Sequence, residues 1–257
     1  MAPEGRNRSP ILTLSGVEKR YGKFTAVRGI DLEVRPGEIF GFLGPNGAGK
    51  TTTIRMVTGI LQPSAGTIAL GDLDLSRAPE RAKKKIGYIP DRPFLYEKLS
   101  GAEFLHFVAA LWGCKGEEVD RRIDEYLERF SLSEWRNELI EKYSHGMRQK
   151  LLISSAFIHE PELIVVDEPM VGLDPRSARI LKDLLRAFVN QGGAVFLSTH
   201  TLEVAEALCH RIAILVGGRI CAMGTLEELQ SQTAAPGATL EEIFLKVTRG
   251  DAGVLPG

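Results

Sequence analysis

"EIFGFLGPNGAGKTTTIRMV", residues 38–57, joins an apolar run to a glycine-rich loop and then to a helix-forming run. Its centre, "GPNGAGKTT" (44–52), fits G-x-x-x-x-G-K-[ST] with a strand before it and a helix after it, the context in which that pattern holds phosphate. Gly44, Gly47 and Gly49, with Pro45, Asn46 and Ala48 between them, let the backbone curl until its N–H groups converge on phosphate oxygens. The helix behind the loop adds its dipole. Lys50 can reach the β- and γ-phosphates, Thr51 can hold Mg²⁺, and Thr52 lies beside them in the first turn. The loop therefore predicts an α/β protein that binds a nucleoside triphosphate with Mg²⁺.

Working outward, the loop is flanked by alternating elements. Upstream, "ILTLSGV" (11–17) and "GIDLEV" (29–34) read as strands. Downstream, "GTIAL" (66–70) and "KIGYIP" (85–90) read as further strands. The texture then turns helical. Phe104, Leu105, Phe107, Val108, Leu111 and Trp112 are expected on one face of a first helix. Val119, Ile123, Tyr126, Leu127 and Phe130 are expected on one face of a second, and Met147, Leu151, Ser154 and Ile158 along a third. Strand–helix alternation resumes with "ELIVVDEP" (162–169), a helix over 176–190, "AVFLSTH" (194–200), a short helix over 202–210 and a hairpin through Gly217-Gly218. Near-continuous apolar strands between helices imply a parallel sheet covered on both faces. The expected layout is an α/β core over 11–225 with a helical insert at about 95–155. A tail over 226–257 follows, in which "QSQTAAPGA" is a polar break before a last short helix.

Three further stretches carry chemistry. Asp167 and Glu168 follow four apolar residues, which puts them at the carboxyl end of a buried strand, where open α/β sheets place ligands. Asp167 fits the carboxylate behind a magnesium ion, and Glu168 fits the base that polarises an attacking water. His200 ends another buried strand at the same edge and is placed to touch a γ-phosphate. In "YSHGMRQK" (143–150) a serine, a histidine and a glycine precede a long apolar run, a helix start prepared for an anion. Tyr21 stacks on a base or packs a sheet; the residue alone leaves both open.

Composition narrows the classes. The 257 residues carry 32 Lys and Arg against 33 Asp and Glu, a balance that excludes a protein driven by phosphate neutralisation of nucleic acid. Three cysteines with no CxxC pair read as reduced cytosolic thiols. The start "MAPEGRNRSP" has no apolar signal core, and no run approaches 18 apolar residues, so any work at a membrane goes through a partner.

The order Tyr21, "GPNGAGKTT", "IGYIPD" (86–91), "YSHGMRQK", "LIVVDEP" (163–169), "GLD" (172–174) and "STH" (198–200) resembles the ATP-binding cassette of ABC transporters. The resemblance implies a P-loop NTPase (RecA-like) core with an antiparallel β subdomain and a helical insert. It also implies ATP as the nucleotide and Mg²⁺ as its ion. Two cassettes then meet head to tail, so that Ser144, His145, Gly146 and Met147 cap the ATP held by the other chain, with Asp174 at the dimer contact. His145 and Met147 depart from the family's usual LSGGQ signature, while Ser144 and Gly146 keep its hydroxyl and its close backbone approach. Asp91 stands where the family usually has a glutamine that reaches the metal and couples to the membrane subunit. These features and "TLEEIFLKVTRG" (239–250) resemble the branch of single-cassette chains that pair with separate permeases, often exporters. A homodimer, peripheral on the cytoplasmic face of the membrane, is then expected, with Phe94, Leu95 and Tyr96 beside Asp91 receiving the permease. Two alternatives share the motifs: a soluble cassette ATPase acting on ribosomes or DNA, and a non-catalytic nucleotide-binding regulator. The first usually carries two cassettes or a long coiled coil; the intact Lys50, Asp167, Glu168 and His200 weigh against the second.

Overall fold

A computed structural model describes residues 9–248 apart from 93, 169 and 171. The first eight residues and the end of the tail beyond 248 lie outside the described residues.

Strands with no polar side face are buried on both sides here. β3 (Ile39–Leu43), β7 (Leu163–Asp167) and β8 (Ala194–Thr199) are buried at every position. They form the middle of a six-stranded sheet, with β6 (Ile86–Ile89), β9 (Arg211–Val216) and β10 (Arg219–Gly224), in the order β10-β9-β3-β8-β7-β6. β10 returns antiparallel to β9 through Gly217 and Gly218, whose φ angles of 56° and 83° suit a two-residue hairpin turn; the other pairings are parallel. A second, antiparallel sheet orders β2 (Phe24–Val34), β1 (Leu12–Tyr21), β4 (Ala65–Leu70) and β5 (Leu73–Asp74).

The period of two along the central strands sorts their side chains between two cores. Phe40, Phe42, Leu163, Val165 and Phe196 pack with the antiparallel sheet and α1 (Lys50–Val57). Ile39, Ile164, Val166, Val195 and Leu197 face a helical layer of α3 (Gly101–Leu111), α4 (Glu117–Arg129), α5 (His145–Phe157) and α6 (Pro175–Asn190). Both faces of the parallel sheet are thus covered, as its apolar strands require. α5 is buried almost all round from Leu151 to Phe157 and is the helix against which the insert packs.

Three sequence readings are corrected. On α3 the buried residues are Phe104, Leu105 and Ala109, whereas Phe107 faces out and Leu111 is 64% exposed. Phe107 lies at the margin of that face and meets Tyr96 edge-on at 5.2 Å between ring centroids, while Leu111, two turns on from Phe104, ends the helix where little covers it. The break "QSQTAAPGA" begins inside a helix, α8 (Leu226–Gln232), which Thr225 and Glu228 open with a reciprocal capping box. A one-turn α2 (Pro79–Lys83) and the short β5 also escaped the pattern reading. α7 (Leu202–Leu208) follows β8, and α9 (Leu240–Thr248) ends the described chain.

Candidate functional site

β3 delivers the chain into the loop at 44–49. A Cβ on Gly44 would lie 2.4 Å from the Leu215 carbonyl oxygen. One on Gly49, whose φ is 110°, would lie 2.7 Å from that of Ala26. The loop is therefore wedged between β9 and β2, and only glycine fits both points. Ala48 is buried in the core and accepts a hydrogen bond from the Gly218 N–H at 3.0 Å. Gly49 is the N-cap of α1 and no side chain caps that end. The helical ladder starts with Thr53 N–H donating to the Gly49 carbonyl at 2.9 Å, so the N–H groups before it have no helical acceptor.

Lys50, almost fully buried, turns back onto its own loop, its Nζ donating to the carbonyls of Gly44 at 2.6 Å and Pro45 at 3.2 Å. Burial pushes its pKa down, and the nearby charges of Glu168 and Asp167 oppose that shift. Asp167, buried at the end of β7, accepts a hydrogen bond from the Ser198 hydroxyl. Burial raises its pKa most; the Ser198 hydrogen bond opposes this, Asp91 and Glu168 add to it, and a bond from Thr51 also opposes. Glu168 sits at φ 52°, left-handed for a non-glycine residue, with its N–H donating to the Ser198 carbonyl at 3.0 Å. Its carboxylate accepts from the Thr199 hydroxyl at 3.2 Å and lies 2.7 Å from His200 Nδ1.

These groups open onto one cleft of about 870 Å³. Asn46, Gly47, Gly49, Lys50, Thr51 and Thr52 line it together with Asp91, Asp167, Glu168 and His200. At its mouth Tyr21 is 48% exposed, pairs in register with Phe24, and carries the Lys19 ammonium 5.5 Å from its ring centroid. Both rings line the cleft, so Tyr21 does not pack the sheet interior.

Of the stretch 143–150, His145 and Arg148 line the same cleft. Ser144 is the N-cap of α5, and its hydroxyl accepts from the Met147 N–H at 3.3 Å. Met147 packs on the insert's core, while His145 reaches the cleft. The His145 ring lies against Gly172, where a Cβ would come within 2.4 Å of its Cε1. Asp174 caps α6, accepting from Ser177 N–H at 2.9 Å and Ser177 Oγ at 2.7 Å, with Lys150 Nζ at 3.2 Å. The Ser177 bonds, with Lys150, hold its carboxyl well below the usual range. Leu95 packs inward on the insert, whereas Tyr96 is exposed and Phe94 is 89% exposed.

Sequence reading missed Ser198, Thr199 and Phe24. The available signal for the first two was a pair of hydroxyls closing an otherwise apolar strand beside His200. For Phe24 it was a large aromatic across a tight turn from Tyr21.

A parallel sheet with a glycine-rich loop at its carboxyl edge, two carboxylates on the next strand end but one, and an antiparallel sheet whose Tyr21 and Phe24 line the same cleft define a nucleotide-hydrolysing α/β protein. The sequence model of the ABC transporter family matches residues 27–171. The ABC-type transporter ATP-binding protein EcsA of Bacillus subtilis (strain 168) is 34% identical over 243 residues, covering 95% of this chain and 98% of its own. The Nod factor export ATP-binding protein I of Ralstonia nicotianae is 36% identical over 225 residues, 88% of this chain and 70% of its own. A solved ATP-binding subunit of an ABC transporter superposes with a TM-score of 0.89 at 34% identity, covering 92% of this chain and 99% of that one. The chain belongs to the ABC transporter family, as an ATP-binding and ATP-hydrolysing subunit.

Proposed function

We propose that this ATPase subunit works at the cytoplasmic face of a membrane, docked on a separate integral-membrane permease, and powers export. None of its described helices is long and apolar enough to cross a bilayer, so in this reading passage belongs to the permease. The export sense follows the printed role of the Nod factor relative. Asp91 and the neighbouring Phe94, Leu95 and Tyr96 couple to the permease.

The observation that carries the chemistry is the charge balance of the cleft. Asp167, buried and raised in pKa, faces Asp91 and Glu168, with Lys50 opposite. Such a carboxylate group favours a bound cation. Among the described residues no three His, Cys, Asp or Glu side chains form a metal cage. Oxygen donors from Thr51 and Asp167, with Asp91, fit Mg²⁺, which takes one or two carboxylates and completes its shell from phosphates and water. When bound, it neutralises charge on the phosphate oxygens.

The open N–H groups of the loop and Lys50 hold the phosphates, and Tyr21 meets the base. Glu168 directs water at the γ-phosphate, which His200 contacts. A second copy supplies Ser144, His145, Gly146 and Met147 to close the site, with Asp174 at the contact between copies. Glu168→Gln tests this reading. It should keep ATP, lose hydrolysis by roughly 10²–10⁴-fold, and elute as a dimer with ATP bound. A variant that holds ATP yet stays monomeric, or that hydrolyses it normally, sinks the reading.

A further inference from the structure

The segment after β10 lies beyond the matched family region, yet it is packed into a buried cluster with the α/β core. Leu240, Ile243 and Val247 on α9, with Leu229 on α8, are buried in one cluster with Leu43, Ala205, Ile212 and Ile214. Two of these partners stand next to the chemistry. Leu43 is the last residue of β3, immediately before the phosphate loop. Ala205 is on α7, which begins two residues after His200.

α7 has only seven residues and no side-chain cap at its N-terminus, so its own backbone cannot hold its place. Packing must do so, from two sides. Val204 and Leu208 join the core shared with α6, Leu202 and Ala205 join the core that includes the tail, and Cys209 packs against both. Between β8 and α7 the chain carries the bonds that set the hydrolytic site. Thr201 N–H donates to Thr199 Oγ1 at 3.0 Å, Thr199 Oγ1 donates to Glu168, and His200 Nδ1 meets Glu168 at 2.7 Å. α9 is itself pinned: Thr239 and Glu242 cap it reciprocally, and Lys246 bonds the Thr233 carbonyl at the end of α8.

We propose that α9 is a positioning element for hydrolysis, which sets the place of His200 by bracing α7 from the tail side. The proposal rests on the role given to His200 above. Removing a buried methyl cluster from α9 lets α7 shift, and small displacements of a positioned group slow chemistry more than binding. The phosphate loop is wedged between β9 and β2 at Gly44 and Gly49, so it should move less than α7, which packing alone holds.

The test uses the full chain. Ile243→Ala should lower kcat by about tenfold while KM for ATP changes less than about twofold, and Ile243→Leu should restore most of the rate. In a His200→Ala chain, whose residual rate is read in single turnover at high enzyme concentration, Ile243→Ala should cost nothing further. If Ile243→Ala does not fold, Val247→Ala is read in the same way. An unchanged kcat despite a lowered Tm overturns the proposal, as does an equal fold-loss in the His200→Ala background. A His200→Ala chain with normal turnover overturns the His200 role and this proposal together; a crippled one beside an indifferent Ile243→Ala overturns this proposal alone.

Discussion

α1 and α5 both bring an amino end to the nucleotide cleft, and they finish that end in opposite ways. α1 is capped by Gly49, which has no side chain to satisfy the first-turn N–H groups. α5 is capped by Ser144, whose hydroxyl already accepts from Met147. An unsatisfied first turn is held in a tight loop only by the wedge around Gly44 and Gly49, and it gains most when an anion arrives. A first turn with one N–H already capped is steadier alone and gains less. The first end is therefore left open for its own chain's ligand, and the second is shaped before it meets a second copy.

The largest effect should come from the open end. Lys50 is the cation already folded into that loop, so Lys50→Ala should weaken ATP binding and cut turnover at least about a hundredfold. ATPase assay and nucleotide titration of the purified variant check this, and near-normal turnover would break the contrast at its root. The α5 end can be made harmful instead: Gly146→Asp puts a carboxylate where a second copy's γ-phosphate would lie. Each variant alone spoils both sites of a dimer. In a mixed dimer both defects fall in one site, so mixing the two inactive proteins should restore activity, or restore trapped ATP when both chains also carry Glu168→Gln. Mixed dimers that form yet do neither would show that α5 does not act across chains.

Next in size is Gly49→Ala. The added Cβ would meet Ala26 O at 2.7 Å in a conformation that alanine disfavours. A strain of roughly 1–3 kcal/mol should appear as a loss of about ten- to a hundredfold in ATP affinity. Ser144→Ala is the matching change at the satisfied end and should be read mainly in stability. Loss of the cap costs about 1 kcal/mol, or a fall of roughly 2–4 °C in Tm for a chain of this size. Affinity of the isolated subunit for ATP should not change. If Ser144→Ala lost ATP affinity as Gly49→Ala does, the two ends would not differ as described.

The contrast also explains what could be read in advance. The phosphate loop was legible because its function is written in backbone freedom, and three glycines at fixed spacing declare it. Asp167 and Glu168 were legible only beside the phosphate loop, since an acidic pair after an apolar run, read alone, could simply start a loop. The inward turn of Lys50 onto Gly44 and Pro45 was not legible, because it depends on where the chain places those carbonyls in space. The hydroxyls of Ser198 and Thr199 act on the neighbouring strand, and a parallel register of 167 to 198 is invisible in either segment alone. On α3 the number of apolar residues exceeds what one face can bury, so periodicity could not say that Phe107 and Leu111 would be left out.

The smallest effect lies at the far end of α5. His159 follows that helix, stacks on Trp112 at 4.8 Å and bonds the Ile86 carbonyl through Nε2 at 3.0 Å. The carbonyl requires a proton on Nε2, which leaves the buried Nδ1 unprotonated and without a partner among the described residues. Charging the ring would add a buried N–H with no acceptor. Burial accordingly lowers the His159 pKa from its ordinary value, opposed by the Ile86 bond and aided by Arg122. The unfolded chain therefore binds this proton first as pH falls. The stability that His159 contributes is complete above its unfolded pKa of about 6.5, and is lost as pH drops through the depressed folded value. Thermal melts between pH 7.5 and 5 should show a slope of less than one proton from this group. His159→Gln, which keeps a donor for the carbonyl and cannot titrate, should flatten that slope and leave ATP affinity at the α1 end untouched. A slope that persists unchanged in His159→Gln would place the acid sensitivity elsewhere.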